Sequence, residues 1–126
     1  MALPQRHRLR GRRSFDRIHR QGRRYQSPLL SLRVLAAMPL LLPPSERRRA
    51  PSPWRCAVAV STKVSKRAVR RNRLRRSLQE HLRRCAPAAD RPQWLLLSLR
   101  PGAAEAEPAR LLEECTQLIR QAGLIP

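Results

Sequence analysis

Eight basic side chains and no acid lie between Lys63 and Arg76: Lys63, Lys66, Arg67, Arg70, Arg71, Arg73, Arg75 and Arg76. A guanidinium is a planar fork of N–H donors that stays charged, so a dense row of them suits phosphate oxygens and can also stack on bases. The row is not an unstructured tail. Leu74, Leu78, Leu82 and Cys85 recur behind it at helical spacing, which predicts a helix over 66–85 with Ser65 as its N-cap. Asn72, Arg73, Arg75, Arg76, Gln79 and Arg83 fall outside the apolar stripe, whereas Arg67, Arg70 and Arg71 project near it. The first turns of this helix should therefore overhang the core and face a groove or partner. A helix exposed only for solubility mixes signs at i,i+4 spacing. Here Glu80 is the one acid from Ser61 to Arg84.

No other grouping offers chemistry of its own. His7, His19 and His81 are isolated, Asp16 and Asp90 are far apart, and four of the eight acids sit in Glu105 to Glu114. Hydrolysis by two metals needs several clustered carboxylates. Cys56, Cys85 and Cys115 are widely spaced with no Cys-x-x-Cys pair, so they read as buried free thiols in a reducing cytoplasm rather than as a zinc site. Four glycines supply neither a Walker loop nor a dinucleotide fingerprint. No catalytic residue and no metal ligand is therefore assigned to the protein.

The charge constrains the partner. The chain has 126 residues, 28 Lys+Arg against 8 Asp+Glu, and a net charge of +20. Such a surface self-repels unless a polyanion neutralises it. Only Phe15, Tyr25, Trp54 and Trp94 are aromatic, too few and too scattered to read a strand base by base, so backbone and shape contacts are expected. A membrane partner is disfavoured because the basic helix lacks bulky aromatics on its apolar face. The longest apolar stretch, 27–44, is broken by Arg33, Pro39 and Pro43. The N-terminus is Arg-rich without an apolar block, so no signal peptide is expected. A DNA-binding regulator would want a helix-turn-helix or a dimer interface, and neither pattern is present.

The elements that must position the basic helix follow from periodicity and breakers. Residues 1–13 read as a flexible basic arm, Ser14 as an N-cap, Phe15 to Gln21 as a helix, and Gly22 as its stop. Leu29 to Ala37 and Trp54 to Ser61 read as strands, separated by a Pro/Arg-rich loop over 38–53. A third strand in this region is sought in Leu40 to Leu42. Trp94 to Leu99 reads as a buried strand. Pro108 opens a last helix whose stripe is Leu111, Leu112, Cys115, Leu118, Ile119 and Ala122, stopped by Gly123. The order α-β-β-β-α-β-α describes a single-domain α+β sandwich with a small mixed sheet of about four strands and three helices.

Val60-Ser61-Thr62-Lys63, Ala68, Arg71-Asn72-Arg73-Leu74-Arg75-Arg76 and Glu80 together resemble the protein subunit of bacterial ribonuclease P. The likeness extends to Phe15 through Gly22-Arg23, and to Asp90 through the 94–99 strand to Arg100-Pro101. Thr62, Ser77, Gln79 and Leu82 depart from the family pattern, as does the length of the 38–53 segment. The resemblance implies a fold like the second domain of a small-subunit ribosomal protein. It implies a catalytic RNA that removes the 5′ leader of precursor tRNA, with Mg2+ held mainly by RNA. By position, Arg67, Arg71, Asn72, Arg73, Arg75 and Arg76 would meet that RNA, and Phe15, His19, Arg33, Lys63 and Lys66 would line a leader cleft. The implied partners are ribonuclease P RNA and precursor tRNA, with no membrane and no obligate protein partner. The alternative is a ribosomal protein that binds ribosomal RNA. The Arg-Asn-Arg helix after a Ser-Thr-Lys strand end favours ribonuclease P.

Overall fold

The computed structural model describes residues 3–47 and 52–126. Its centre is β4 (Gln93–Leu99), where the run of apolar residues has no polar alternation because both faces are covered. β4 pairs antiparallel with β2 (Leu30–Ala36) and parallel with β3 (Trp54–Ala59). A short β1 (Arg23–Gln26) lies antiparallel on the outer side of β2. The sheet order is thus β1-β2-β4-β3.

Alternation along the strands divides the core in two. On one face Leu30, Leu32, Cys56, Val58, Leu95, Leu97 and Leu99 pack against Leu78 and Leu82 of α3 (Ala68–Cys85) and Leu111, Cys115, Leu118 and Ile119 of α4 (Pro108–Gln121). On the other, Trp94 and Leu96 pack with Leu9, Leu42 and Ile18, the last from α1 (Arg12–Gln21). The basic helix and the N-terminal helix therefore sit on opposite faces of one sheet. This is the expected α+β sandwich of four strands and three main helices. A single helical turn, α2 (Pro44–Arg47), is added between β2 and β3.

Several expectations change. The third strand is Arg23–Gln26, not Leu40 to Leu42, and Pro39–Leu41 forms a 3-10 turn instead. Arg23 and Arg24 hid the strand from a hydrophobic pattern, because an edge strand with exposed side chains needs none. Residues 3–13 are not a free arm: Leu3, His7 and Leu9 are buried, and Leu9 N donates to Cys56 O at 2.9 Å along the outer edge of β3. Covering that edge removes a row of unpaired backbone groups. The segment after β2 folds back over the sheet: buried Leu42 packs with Ile18 of α1, buried Glu46 lies against Arg55 of β3, and buried Ser52 bonds His7 and Trp54 O. The part of the loop at 48–51 lies outside the described residues. Ser14 is inside the first helix rather than capping it, buried, with Oγ donating to Leu41 O at 3.2 Å. Of the three cysteines, all free, Cys56 and Cys115 are buried and Cys85 is half-buried. Burial pushes the Cys115 thiol up to about 12, and the neighbouring Cys85 adds to the shift.

Gly22 does stop α1, but not through a left-handed conformation: its φ is −65°. A Cβ there would sit 2.4 Å from Ile18 O and 3.2 Å from Arg33 Cβ. Glycine lets the helix end drop directly onto β2. Gly22→Ala is expected to destabilise the fold by about 1–3 kcal/mol, the scale of an overpacked core site. Urea unfolding checks this, and an unchanged midpoint would contradict the close approach.

Candidate nucleic-acid interface

β3 ends at Ala59 and the chain turns through Ser61–Ser65 before α3 begins. Val64 is buried in that turn and anchors it, and Val64 N donates to Ser61 O at 3.1 Å. Thr62, Lys63 and Lys66 are left exposed at the end of the sheet. The helix starts at Ala68 with Arg67 at the N-cap position, and no side chain caps it. Ser65, expected as the cap, instead accepts from Arg67 N at 3.3 Å, two residues before the N-cap position.

The anchoring of α3 follows its stripe. Leu78 and Leu82 are buried, while Leu74 and Cys85 are half-buried at the two ends. The arginines then divide into two groups. Arg70 reaches Ala104 O at 2.6 Å, Arg71 reaches Ser65 O at 2.9 Å, and Arg75 reaches both Val58 O at 3.3 Å and Asn72 Oδ1 at 2.5 Å. These contacts to carbonyl and amide oxygens orient the guanidinium groups without neutralising them. Arg67, Arg73 and Arg76 are exposed and make no side-chain hydrogen bond or ion pair within the described residues. Asn72, also exposed, stands beside them with its Oδ1 occupied by Arg75.

Charge compensation is confined to the far half of the helix. Glu80 pairs with Arg83 at 3.3 Å and Arg84 at 3.4 Å. The hydrogen bond from Arg83, with the charges of both arginines, holds the Glu80 carboxylate below its ordinary value. From Lys63 to Arg76 no acid intervenes. The result is a rigid, single-sign surface, which is what a polyanion requires.

The second set of residues lies elsewhere. Phe15 and His19 are on α1, and Arg33 is on β2 between Arg24 of β1 and Leu96 of β4. All three belong to the α1 side of the sheet. Phe15 is half-buried against the Trp94–Leu96 cluster, and His19 is exposed. Lys63 and Lys66 stand in the turn after β3. The structure thus separates the α3 group from the α1-side group by the thickness of the sheet, with the lysine turn at its end. Beyond the Arg33–Leu96–Ala57 row, the next row on this face is Gln26, Ser31, Ser98 and Ala59. The short side chains of Ser31, Ser98 and Ala59 leave a low floor beside α1. Sequence reasoning missed Ser31, Ser98 and Ala59, although two serines interrupting apolar strands were a visible signal. It also left out the exposed Val69, and Arg70, expected to face a groove or partner, was not among the residues assigned to the RNA.

Among the described residues no three His, Cys, Asp or Glu side chains gather to hold a metal ion. No helix among them is long and apolar enough to cross a membrane.

The fold and this surface define a small α+β protein with one uncompensated cationic helix, the class of an RNA-binding subunit. The ribonuclease P family model matches residues 3–123. A ribonuclease P protein component from Parasynechococcus marenigrum (strain WH8102) is 53% identical over 126 residues, covering 98% of each chain. Another from Synechococcus sp. (strain RCC307) is 54% identical over 126 residues, again covering 98% of each. The fold matches the RNase P protein of Staphylococcus aureus with a TM-score of 0.75 at 16% identity, covering 95% of this chain and 98% of that one. The chain belongs to the bacterial ribonuclease P protein component family. It is a subunit of that endoribonuclease, whose holoenzyme processes the 5′ ends of precursor tRNA. The ribosomal alternative is set aside by this membership.

Proposed function

We propose that this subunit acts by binding two RNA segments on two sides of one sheet. Arg67, Arg71, Asn72, Arg73, Arg75 and Arg76 hold ribonuclease P RNA along α3. Phe15, His19, Arg33, Lys63 and Lys66 hold the single-stranded 5′ leader of precursor tRNA, on a floor of Ser31, Ser98 and Ala59. The observation that carries this reading is the outward row of Arg67, Arg73 and Arg76, without a side-chain hydrogen bond or ion pair among the described residues, on a helix fixed by Leu78 and Leu82.

The mechanism is electrostatic. Two polyanions repel each other, and a rigid cationic layer between them lowers that cost and eases their Mg2+ requirement. Mg2+ supplies its chemistry from the RNA side, and the holoenzyme works in the cytoplasm. On the leader side, a half-buried Phe15 offers one ring edge for a base, and Arg33 and Lys63 offer charge to its phosphates.

The test is cleavage of a precursor tRNA with a 5′ leader by a bacterial ribonuclease P RNA at low Mg2+. Correctly placed 5′ cleavage should appear only when RNA and protein are both present. Binding without stimulation of a competent RNA would sink the proposal. Cleavage by the protein alone, with contaminating nuclease excluded, would overturn the division of labour.

A further inference from the structure

Arg73 borders two different surfaces. On its outer side it continues the exposed face of Val69, Asn72 and Arg76, at i, i+3, i+4 and i+7 spacing along α3. On its inner side it rims a groove of about 170 Å³ between α3 and the start of α4. The floor of this groove is apolar. Leu78 and Leu111 are buried beneath it, and Leu74 and Leu112 are only half-covered. Arg70 stands at the other rim, with one donor on Ala104 O and the rest of its five N–H groups unspent among the described residues.

We propose that this groove takes the base of one unpaired nucleotide of the catalytic RNA, with Arg70 and Arg73 on its phosphate. The inference rests on the reading of α3 as the RNA face and deepens it. Phosphates alone have no use for a leucine floor, whereas a flat base can bury one face on it and meet guanidinium planes or N–H donors at its edge. Charge selects the occupant: a second copy of this chain, at +20, would be repelled from the same rim. The groove is continuous with the outer arginine face through Arg73, so an RNA strand following α3 reaches it without a break. Scarcity of aromatic residues argued for backbone and shape contacts, and this pocket adds a single base contact that aliphatic side chains can make.

The test uses the full-length chain with a bacterial ribonuclease P RNA. Base-specific chemical probing of the wild-type complex should show one unpaired nucleotide losing base reactivity. Ser77, exposed on α3 at the groove's edge, permits filling it from outside: Ser77→Phe should restore that reactivity and weaken binding about tenfold, the scale of one lost base contact. The dependence of affinity on salt should keep its slope, because the phosphate contacts remain. Gln117→Phe places the same bulk on the exposed face of α4, outside this groove, and should change nothing. Thermal unfolding confirms that both variants fold; if Ser77→Phe does not, the wild-type probing alone decides. No protected unpaired base in the wild-type complex would overturn the proposal. So would wild-type affinity in Ser77→Phe, or a lowered salt slope, which would mean displaced phosphate contacts. Failure of the wild-type chain to bind the RNA at all would bring down the α3 reading itself, and that result comes before any variant is made.

Discussion

Replacing Arg73 and Arg76 with alanine is expected to weaken binding to ribonuclease P RNA roughly 40-fold at about 0.1 M salt, with the unfolding curve unmoved. The magnitude follows from counterion release. Each phosphate contact contributes about 0.7–0.9 to the slope of log K against log[salt], so losing two lowers it by about 1.6. The choice of residues is structural. Arg73 and Arg76 are exposed and make no side-chain hydrogen bond or ion pair inside the described residues, so their removal subtracts charge without breaking a polar contact of the fold. Arg71 and Arg75 are poorer probes, because alanine there also deletes the bonds to Ser65 O and Val58 O that set the turn and the helix against β3. Arg83 is the matching control: its charge is already spent on Glu80, and its removal should change the slope less. Titrations at several salt concentrations, paired with urea unfolding, give both readouts. An unchanged slope would mean that α3 does not carry the phosphate contacts.

How much of this was legible beforehand depended on whether a residue's role is written in local pattern. The α3 helix was readable because leucines at helical spacing and uncompensated arginines are both one-dimensional signals. Its start was misplaced by two residues, since Ser65 looks like a cap while its hydroxyl serves the preceding turn. Trp94 to Leu99 was readable as a strand, because an apolar run between breakers has few other uses. β1 was not readable. Its pairing with β2 is made by backbone groups, and its side chains Arg23, Arg24 and Gln26 are exposed, so nothing in their polarity announces a strand. The N-terminal segment was misjudged for the same reason. Leu3, His7 and Leu9 are too few and too interspersed with arginine to form a pattern, yet each is buried once β3 supplies an edge. Partners distant in sequence also decided the floor beside α1. Ser31, Ser98 and Ala59 come from three strands and meet only through register.

The largest stability effect is expected at a pair that no periodicity reveals. Arg55 lies on β3 and Glu46 on α2, and their side chains are 6% and 2% exposed with Nη1 and Oε1 3.5 Å apart. Arg55 also donates to Arg8 O at 2.8 Å. One buried guanidinium thus ties the N-terminal segment, α2 and the edge strand together. Glu46→Ala leaves that cation buried without its counter-charge and should cost about 3–5 kcal/mol. A double replacement, Glu46→Leu with Arg55→Met, should recover much of the loss, because an apolar pair of similar volume avoids the desolvation penalty. The single variant should also make residues 3–10 more open to proteolysis, since the Arg55 side chain that holds Arg8 O is itself unsettled. Well below its unfolding midpoint, RNA binding by α3 should persist, because Leu78 and Leu82 fix that helix from the opposite face of the sheet. Urea unfolding of the single and double variants decides the matter. A Glu46→Ala midpoint equivalent to less than about 0.5 kcal/mol of change would show that water reaches the pair and solvates it. A double variant no better than the single would place the stabilisation in the hydrogen bond to Arg8 O rather than in the charge pair.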